Sequence, residues 1–405
     1  MPIIVQKFGG TSVATQEKRD QVAKKVKNVL DQGYQVVVVV SAMGRLGEPY
    51  ATDTLIKLAR GIVNQIGPRE LDLLMSCGEI ISTVIMVQTL EKHGIKATAF
   101  TGGQAGIITE HDFNNARIKE IKPTAILKCL EEGRVAVVAG FQGVTADGEI
   151  TTLGRGGSDT TGAALGVALK AEVVEIYTDV DGVMTADPRL VPQAKPLEVM
   201  TYQELCEMAH LGAKVVHPRA VEIAMEGRIP LKIKSTFSDG EGTLITDGTP
   251  IGKIEIRKDR VVTGIAHLAE MALVKIHSET DMNESGKVLQ VFEEMAAAKI
   301  SVDMIQVAPF QISFIITQQL ADKATTVLKN LKLQAEIETG FAKVAIVGSG
   351  MRGVPGVMAK MVRGLRRLNI SIYHSTDSHT NISCLVKQTE MVKALQALHE
   401  EFELA

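Results

Sequence analysis

A run of five consecutive valines, residues 36–40 in "YQVVVVVSAMG", constrains the fold of this chain more than any other stretch. A strand of this kind has no polar side to turn toward water, so both of its faces must be covered. The segments "RVAVVAGFQGV" and "AEVVEIYTDVDGV" have the same character, and helical patterns separate them. Continuous apolar strands that alternate with helices predict an α/β fold, a three-layer αβα sandwich with a mainly parallel sheet.

Length, charge and cysteine usage exclude several classes of protein. A chain of 405 residues predicts more than one domain. The formal net charge of -3 leaves no basic face, so we expect neither nucleic acid nor a membrane as a partner. We see no unbroken run of about 18 apolar residues and no signal peptide. The four scattered cysteines lack metal-site spacing, which predicts reduced thiols, a cytoplasmic protein and no metal held by cysteine.

The last third of the chain contains an internal repeat with an offset of 70 residues and no gap. The aligned pairs are Gly286/Gly356, Ile300/Ile370 and Ile312/Ile382. Each copy predicts a strand, a glycine turn, a helix and two more strands, so two tandem α+β modules are expected. The segment 235–253, rich in Gly, Ser, Thr and Asp, predicts a boundary loop before them. Modules of this kind tend to expose sheet edges, and pairing of those edges between chains would favour a homo-oligomer. The modules could bind a small ligand at their interfaces, or they could be a structural duplication that binds none.

Ligands of parallel sheets bind beyond the carboxyl ends of the strands, so the loops at those ends carry the functional hypotheses. In "KFGGTS", Lys7 and the backbone of Gly9, Gly10 and Thr11 could hold a phosphate at a helix N-terminus. The spacing is not that of a P-loop. A plain turn between strand and helix, with Lys7 reaching toward solvent, is the alternative.

The segment "GRGGSD" begins like a dinucleotide fingerprint, but Asp159 stands where the third glycine belongs. A carboxylate there would repel a pyrophosphate. Arg155 can hold a carboxylate with two parallel hydrogen bonds, and Asp159 can hold an ammonium group or a metal-bound water. Together they favour a zwitterionic ligand. The alternative is an Arg155–Asp159 ion pair that braces the turn.

Two further residues and one loop are candidates for ligand binding. Glu79 lies in the apolar stretch "LDLLMSCGEIISTVIM" and needs a partner, which could be a substrate ammonium group, a helix cap or a buried ion pair. The acidic loop "YTDVDGVMTADPR" could contact a nucleotide base or ribose, or support Mg²⁺. Lys214, in "GAKVVHPRA", could reach a second phosphate, whereas His217 is more often structural.

Eight motifs taken together resemble the aspartate kinases of the amino-acid-kinase superfamily, particularly the monofunctional bacterial enzymes of lysine or diaminopimelate synthesis, and the repeat resembles their tandem ACT domains. The motifs occur in this order: "VQKFGGTSVA", "VVVVVSAMG", "SCGEIIS", "FTGGQAGIIT", "VAGFQGV", "TTLGRGGSDTT", "YTDVDGVMTADPR" and "GAKVVHPRAVEIA". The resemblance implies an amino-acid-kinase fold over residues 1–245, followed by two ferredoxin-like ACT domains over 262–335 and 340–405.

The resemblance also implies a reaction. ATP would bind together with Mg²⁺, and its γ-phosphoryl group would be transferred to the side-chain carboxylate of L-aspartate. The product would be 4-phospho-L-aspartate, formed in the first step toward lysine, diaminopimelate, methionine and threonine. Such an acceptor is already ionised at neutral pH, so no general base is required. Positioning, a lysine and Mg²⁺ are the expected means of catalysis, which agrees with a chain that has no obvious catalytic His or Cys constellation.

By the family pattern, each motif residue has an implied role. The catalytic residues would be Lys7 and Asp159. The aspartate-binding residues would be Ser41, Thr52, Glu79, Arg155 and Ser158. The ATP-binding residues would be Lys7, Gly9, Gly10, Thr11, Thr178, Asp179, Arg189 and Lys214. An amino-acid effector (lysine, diaminopimelate or threonine) would bind near Asp281, Ser285, Gly286, Pro355, Gly356 and Asp377. No metal held by protein ligands alone is expected.

Two alternatives to this function stay open at the level of the sequence. One is a kinase for glutamate or acetylglutamate, against which the two ACT modules and the pairing of Glu79 with Arg155 argue. The other is a regulatory binding protein with an inactive kinase domain. The joint presence of four candidate site residues argues against it: Lys7, Glu79, Arg155 and Asp159.

Overall fold

The computed structural model describes residues 1–62, 65–213, 215–248, 261–283 and 286–405, and these form two compact units. The first unit runs from Met1 to Val183 and includes Pro196–Ala209 and residues 215–248. The second unit contains Met184–Lys195, His210–Ala213 and the described residues from 261 to 405. A short segment from the middle of the predicted catalytic domain therefore belongs to the second unit.

The first unit is built from short strands and intervening helices. Its strands are β1 (Ile3–Phe8), β2 (Gln35–Val40), β3 (Ala97–Phe100), β4 (Ile107–Thr109), β5 (Ile118–Ile121), β6 (Val135–Ala139), β7 (Gln142–Val144), β8 (Ile150–Thr152), β9 (Val173–Thr178), β10 (Val199–Thr201), β11 (Leu231–Ser235) and β12 (Thr243–Thr246). Its helices are α1 (Gly10–Val13), α2 (Gln16–Asp31), α3 (Thr52–Arg60), α4 (Pro68–Lys92), α5 (Thr124–Glu131), α6 (Gly157–Ala168), α7 (Tyr202–His210) and α8 (Pro218–Gly227).

The main sheet has eight strands in the order β10-β12-β11-β9-β1-β2-β6-β3, and every pairing is parallel except that between β11 and β12. The five valines of β2 are all buried, as predicted. Alternate residues such as Val36 and Val38 pack in one core with α2 and α4. On the opposite face, α6 lies against β1 and β9, because Gly162 faces the side chains of Lys7 and Val174. The predicted parallel sheet between helical layers is confirmed.

Strand β12 corrects one sequence interpretation. The segment 235–253 was expected to be a boundary loop, but Thr243–Thr246 adds a strand antiparallel to β11 and parallel to β10. The alternation Thr-Leu-Ile-Thr has the β-branched character of a strand, and this local pattern overrides the surrounding Gly and Ser residues. A separate four-stranded sheet has the order β5-β4-β7-β8 and ends next to the start of α6.

Helix α4 is long and apolar enough, by length and composition alone, to cross a membrane. Its apolar residues are interrupted by Asp72 and Glu79, so the sequence shows no unbroken apolar run of that length. More than half of the apolar window is buried inside the protein. Asp72 and Glu79 are themselves among the buried residues. Burial among polar partners is the behaviour of a core helix in a globular unit.

The second unit contains the two repeats. Its strands are β13 (Gly264–His277), β14 (Asp303–Ala308), β15 (Gln311–Thr317), β16 (Gln334–Val347), β17 (His374–Asp377) and β18 (Asn381–Lys387). Its helices are α9 (Lys287–Ala297), α10 (Ala321–Asn330), α11 (Val357–Arg367) and α12 (Met391–Glu401). The 70-residue offset holds for both ends of β13/β16, α9/α11 and β15/β18 and for the starts of α10/α12, whereas β17 is one residue shorter at each end than its equivalent β14. Helices α10 and α12, which close each copy, were not predicted.

Both repeats share one antiparallel sheet, in the order β14-β15-β13-β16-β18-β17. Its centre is the pairing of the two equivalent strands β13 and β16, from Gly264 opposite Val347 to His277 opposite Gln334. The segment Met184–Lys195 joins this unit through Ala186 and Val191, which pack in the core around α11 and α12. The boundaries 1–245, 262–335 and 340–405 stay a prediction.

Candidate active site

The carboxyl ends of β1, β2, β6 and β9 meet the N-terminus of α6. Lys7, near the end of β1, directs its stem across Gly162, where an added Cβ would lie 3.2 Å from the Cβ of Lys7. The Nζ of Lys7 forms an ion pair with Oδ1 of Asp159 at 2.5 Å, and Lys7 is only 8% exposed. The backbone N–H of His217 donates to the other oxygen of Asp159 at 3.3 Å. The two predicted catalytic residues are thus brought together.

Arg155 does not take part in this ion pair. Asp159 pairs with Lys7, and Arg155 is exposed and forms no ion pair among the residues that the structure describes. The alternative of an Arg155–Asp159 pair bracing the turn is therefore wrong. Gly154 and Gly156 have φ values of 75° and 66°, which glycine adopts at little cost. They turn the chain sharply at Arg155, so its guanidinium is free to bind an anion.

The glycine loop after β1 packs directly on the loop after β2. A Cβ added to Gly10 would lie 2.5 Å from the carbonyl oxygen of Ala42, so only glycine fits there. The N–H of Gly44 donates to the carbonyl of Gly10 at 3.0 Å. Ser41 Oγ donates to Ser158 Oγ at 2.8 Å, which joins the second loop to α6. The carboxyl ends of these strands are therefore lined by Gly9, Gly10, Thr11, Ser41 and Ser158.

Glu79 is a buried carboxylate with one oxygen left over. The N–H of Ala42 donates to Oε1 at 3.1 Å, and Oε2 has no hydrogen-bond partner in the part of the chain that the structure describes. Burial raises the pKa of Glu79 to about 8, and the backbone N–H of Ala42 and the hydroxyl of Thr52 oppose that rise. A cationic ligand at Oε2 would complete this site, and the hydroxyl of Thr52 lies close to the same carboxyl group.

The predicted nucleotide residues are only partly brought together. Thr178 is the last residue of β9, which pairs with β1, and its hydroxyl donates to the carboxylate of Asp179 at 3.2 Å. Asp179 also pairs with Arg45 at 3.1 Å, and both side chains are more than half exposed. Arg189 belongs to the second unit, where it pairs with Asp187 at 2.7 Å. Lys214 lies outside the described residues.

The predicted effector residues all fall in the second unit, apart from Ser285, which lies outside the described residues. Gly286 and Gly356 hold equivalent positions at the starts of α9 and α11, with φ values of 68° and 93°. Pro355 precedes Gly356, and Asp281 accepts a hydrogen bond from the N–H of Asn283 at 2.8 Å. Asp377 lines a cleft of about 620 Å³ whose walls come from both repeats and include Lys275, Gln306, Ser313 and His374.

Sequence reasoning missed two polar residues around the site, one buried and one partly buried. Asp72 is fully buried on α4, and Arg219 lies at the start of α8. A signal for Asp72 was available, because it precedes Glu79 by seven residues, or two helical turns, and therefore shares its face. No comparable signal marks Arg219, since an arginine after a proline at a helix start is ordinary.

An eight-stranded sheet whose edge carries a glycine loop, a buried lysine and a helix N-terminus defines a phosphate-transferring protein of the amino acid kinase class. The sequence model of the amino acid kinase family matches residues 2–235, and that of the ACT domain matches residues 344–402. Aspartokinase 1 of Bacillus subtilis (strain 168) is 47% identical over 407 residues, covering 100% of both chains. The chain belongs to the aspartokinases, the branch of the amino acid kinase family that carries C-terminal ACT domains.

Solved structures agree with this assignment. Escherichia coli aspartokinase III in complex with aspartate and ADP, in its R-state, is 27% identical, covers 98% of this chain and 99% of its own, and gives a TM-score of 0.78. The same enzyme in complex with lysine and aspartate, in its T-state, is 27% identical, covers 99% of both chains and gives a TM-score of 0.79.

Proposed function

We infer that this protein transfers the γ-phosphoryl group of ATP to the side-chain carboxylate of L-aspartate and forms 4-phospho-L-aspartate. The observation that carries this inference is the buried Oε2 of Glu79, which lacks a partner among the described residues. It belongs to the same loop cluster as the Lys7–Asp159 pair, since Glu79 binds the N–H of Ala42 and Ala42 packs on Gly10. One edge of the sheet thus offers a phosphate cradle and an ammonium anchor.

In the reaction, an oxygen of the aspartate side chain forms a bond to the γ-phosphorus. The bond from that phosphorus to the bridging oxygen breaks, and ADP leaves with the electron pair. No proton has to be removed from the acceptor. The barrier lies in the meeting of two anions, which fixed positive charge lowers. We assign this role to Lys7, with Gly9, Gly10 and Thr11 placing backbone N–H groups around the phosphates.

The acceptor is held at its other end. We assign its ammonium group to Glu79, supported by Thr52, and its α-carboxylate to Arg155. Ser41 and Ser158, which already bind each other at 2.8 Å, lie between the two loops and would face the reacting end. Asp159 holds Lys7 in place through their ion pair. Thr178, Asp179, Arg189 and Lys214 stay proposed ATP contacts.

Mg²⁺ enters this proposal with the nucleotide. Magnesium bound to ATP uses phosphate oxygens and water, and needs only one or two carboxylates from the protein. The part of the chain that the structure describes contains no group of three or more His, Cys, Asp or Glu side chains arranged to hold a metal ion. Asp159, which pairs with Lys7, is the carboxylate that could contact such an ion. The ion would neutralise charge on the phosphates.

We also propose feedback control by an amino-acid end product through the ACT modules. The cleft that contains Asp377 has Lys275 on its wall, so it offers opposite charges to a zwitterion. E. coli aspartokinase III has been solved with lysine, and lysine, threonine and diaminopimelate are the candidates for this chain. Asp281, Gly286, Pro355 and Gly356 stay proposed effector residues. A cytoplasmic homo-oligomer joined through ACT sheet edges completes the proposal.

A coupled ATP assay tests the proposed reaction. The purified protein is incubated with Mg-ATP and L-aspartate, L-glutamate or N-acetylglutamate, and the acyl phosphate is trapped with hydroxylamine. Hydroxamate that forms only with L-aspartate is the expected result. Hydroxamate that forms only with glutamate or acetylglutamate would identify a different acceptor. If no hydroxamate forms with any of the three acceptors, the proposed kinase activity is refuted.

A further inference from the structure

The two proposed anchors for the aspartate backbone lie on different elements. Glu79 belongs to α4, whereas Arg155 lies in the loop between β8 and α6. The ammonium and α-carboxylate groups of an amino acid are separated by a fixed covalent distance. The enzyme therefore needs a device that holds α4 and this loop at a matching spacing.

Asp72 makes the required connection on the α4 side. It is 0% exposed and lies two turns before Glu79. One of its oxygens accepts the backbone N–H groups of Asn114 at 2.9 Å and Thr152 at 2.8 Å, and the other accepts the Thr152 hydroxyl at 2.6 Å. Burial raises the pKa of Asp72, and these three donors oppose that rise. Thr152 precedes Arg155 by only three residues, so Asp72 fixes the base of the loop.

Arg219 clamps the same two segments from α8. Its guanidinium donates to the carbonyl oxygens of Leu153 and Ala116, each at 3.0 Å. The N–H of Ala116 in turn donates to the carbonyl of Thr152 at 2.9 Å. A carboxylate and a guanidinium on different helices thus bind one platform, residues 114–116 with 152–153, from which the Arg155 loop starts.

We propose that Asp72 and Arg219 are positioning residues that set the spacing between Glu79 and Arg155 and thereby select an α-amino acid as the acceptor. This inference rests on the proposed roles of those two anchors. Neither positioning residue needs to touch the substrate. Because small misplacement of binding groups is costly, a change at Asp72 weakens aspartate binding more than it affects ATP.

The main test is Asp72→Asn, which keeps the shape but removes the charge and replaces one acceptor oxygen with an NH₂ group. We expect the KM for aspartate to rise about tenfold or more, with the KM for ATP within about twofold of the parent. The preference for aspartate over succinate, which lacks the ammonium group, should fall in parallel. Asp147→Asn, an exposed carboxylate in the turn between β7 and β8, is the matched control and should change neither constant.

Two milder variants keep the test decisive if Asp72→Asn does not fold. Thr152→Val removes only the 2.6 Å hydroxyl bond, and Arg219→Lys cannot reach both carbonyl oxygens. Each should raise the KM for aspartate with a smaller effect on ATP. An equal rise in both KM values, or no rise in either, would show that the platform is merely structural and overturn the inference.

Parallel measurements on Glu79→Gln and Arg155→Gln separate this inference from the proposed anchors. If these two variants leave the KM for aspartate unchanged, the anchor assignment fails and the positioning argument fails with it. If they raise the KM for aspartate while the Asp72, Thr152 and Arg219 variants do not, only the positioning role is refuted.

Discussion

Lys7 is held in a reactive position by the protein itself. Its ion pair with Asp159 and the stem contact with Gly162 fix the ammonium group beside the glycine loop. Such preorganisation matters because a charge that need not reorient in the transition state stabilises it at no reorganisation cost.

Replacement of Lys7 by Ala should therefore lower kcat by about 10²- to 10³-fold, the usual cost of removing one group that stabilises developing charge. Lys232→Ala is the matched control, because Lys232 also forms a lysine–carboxylate pair, at 2.7 Å with Glu241, but on a different part of the sheet. Steady-state kinetics with saturating substrates measure the effect. An unchanged kcat in Lys7→Ala would remove this residue from the chemistry.

Glu79 should make aspartate capture depend on pH. Burial raises its pKa to about 8 in the absence of a cation, so the carboxyl is largely neutral at pH 7 and must ionise to hold an ammonium group. The value of kcat/KM for aspartate should rise between about pH 6 and pH 9 and level off above the pKa. Glu79→Gln should be less active and lack this rise. A parent profile that is flat across this range would contradict the assignment.

The same raised pKa gives stability the opposite trend. Between the ordinary value of 4.5 and about 8, the folded protein keeps a proton on Glu79 that the unfolded chain releases. The free energy of unfolding therefore falls as pH rises through that window. Activity and stability should respond to pH in opposite directions, and both responses should weaken in Glu79→Gln.

At the scale of elements, the turn into α6 depends on one glycine. Gly156 has a φ of 66°, and a Cβ added there would lie 2.2 Å from the Cβ of His217. The backbone of His217 holds Asp159, so displacement of His217 disturbs the Lys7–Asp159 pair as well. Conformation and packing thus both require glycine at this position.

Gly156→Ala should destabilise the protein more than Gly148→Ala, which is the matched control. Gly148 has a φ of 89° but nothing within 4 Å of an added Cβ, so its replacement brings only the backbone cost of about 1–2 kcal/mol. Thermal and urea unfolding measure the difference. Only Gly156→Ala should also lower kcat. Equal losses of stability in both variants would mean that His217 moves aside freely.

The elements themselves could be predicted where the local pattern was strong. The valine run 36–40 is compatible only with a strand that is covered on both faces, and the structure confirms this prediction. Strand β12 was missed because only four residues carry its pattern among turn formers. Helices α10 and α12 were missed because the repeat was read only as far as its last strand.

The loops that form the site could be predicted from the sequence, but the contacts between their side chains could not. The loops around Lys7 and Asp159 were identified from glycines at strand ends, yet their ion pair joins residues far apart in the sequence and follows from the packing of α6 on β1. The sequence suggested a ligand for Asp159, or an ion pair with its loop neighbour Arg155, but not the ion pair with Lys7. The link from Asp72 to Thr152 spans two elements in the same way, and no local pattern specifies it.

At the scale of the whole molecule, the shared sheet of the two repeats should transmit effector binding. An effector in the cleft lined by both copies contacts edge strands of one continuous six-stranded sheet. Binding can shift the enzyme between states only if the effector prefers one of them. We expect at least one of lysine, threonine and diaminopimelate to shift the aspartate saturation curve to higher concentrations.

Asp377→Ala should weaken that shift and leave the curve without effector unchanged. Asp322→Ala, an exposed acidic residue on α10 of the same unit, is the control and should respond like the parent. Coincident curves with and without all three amino acids would contradict regulation by these effectors.

The pairing of β13 with β16 has an internal twofold symmetry. Ile276 lies opposite Ala335, and the residues 70 positions away, Ile346 and Ile265, lie opposite each other in the same ladder. If each residue of a pair is replaced by its equivalent in the other repeat, 70 positions away, the result is another pair of the same ladder. This is the pairing expected in a twofold-symmetric dimer. The two repeats therefore meet across a pseudo-twofold axis, as two identical chains would in a dimer.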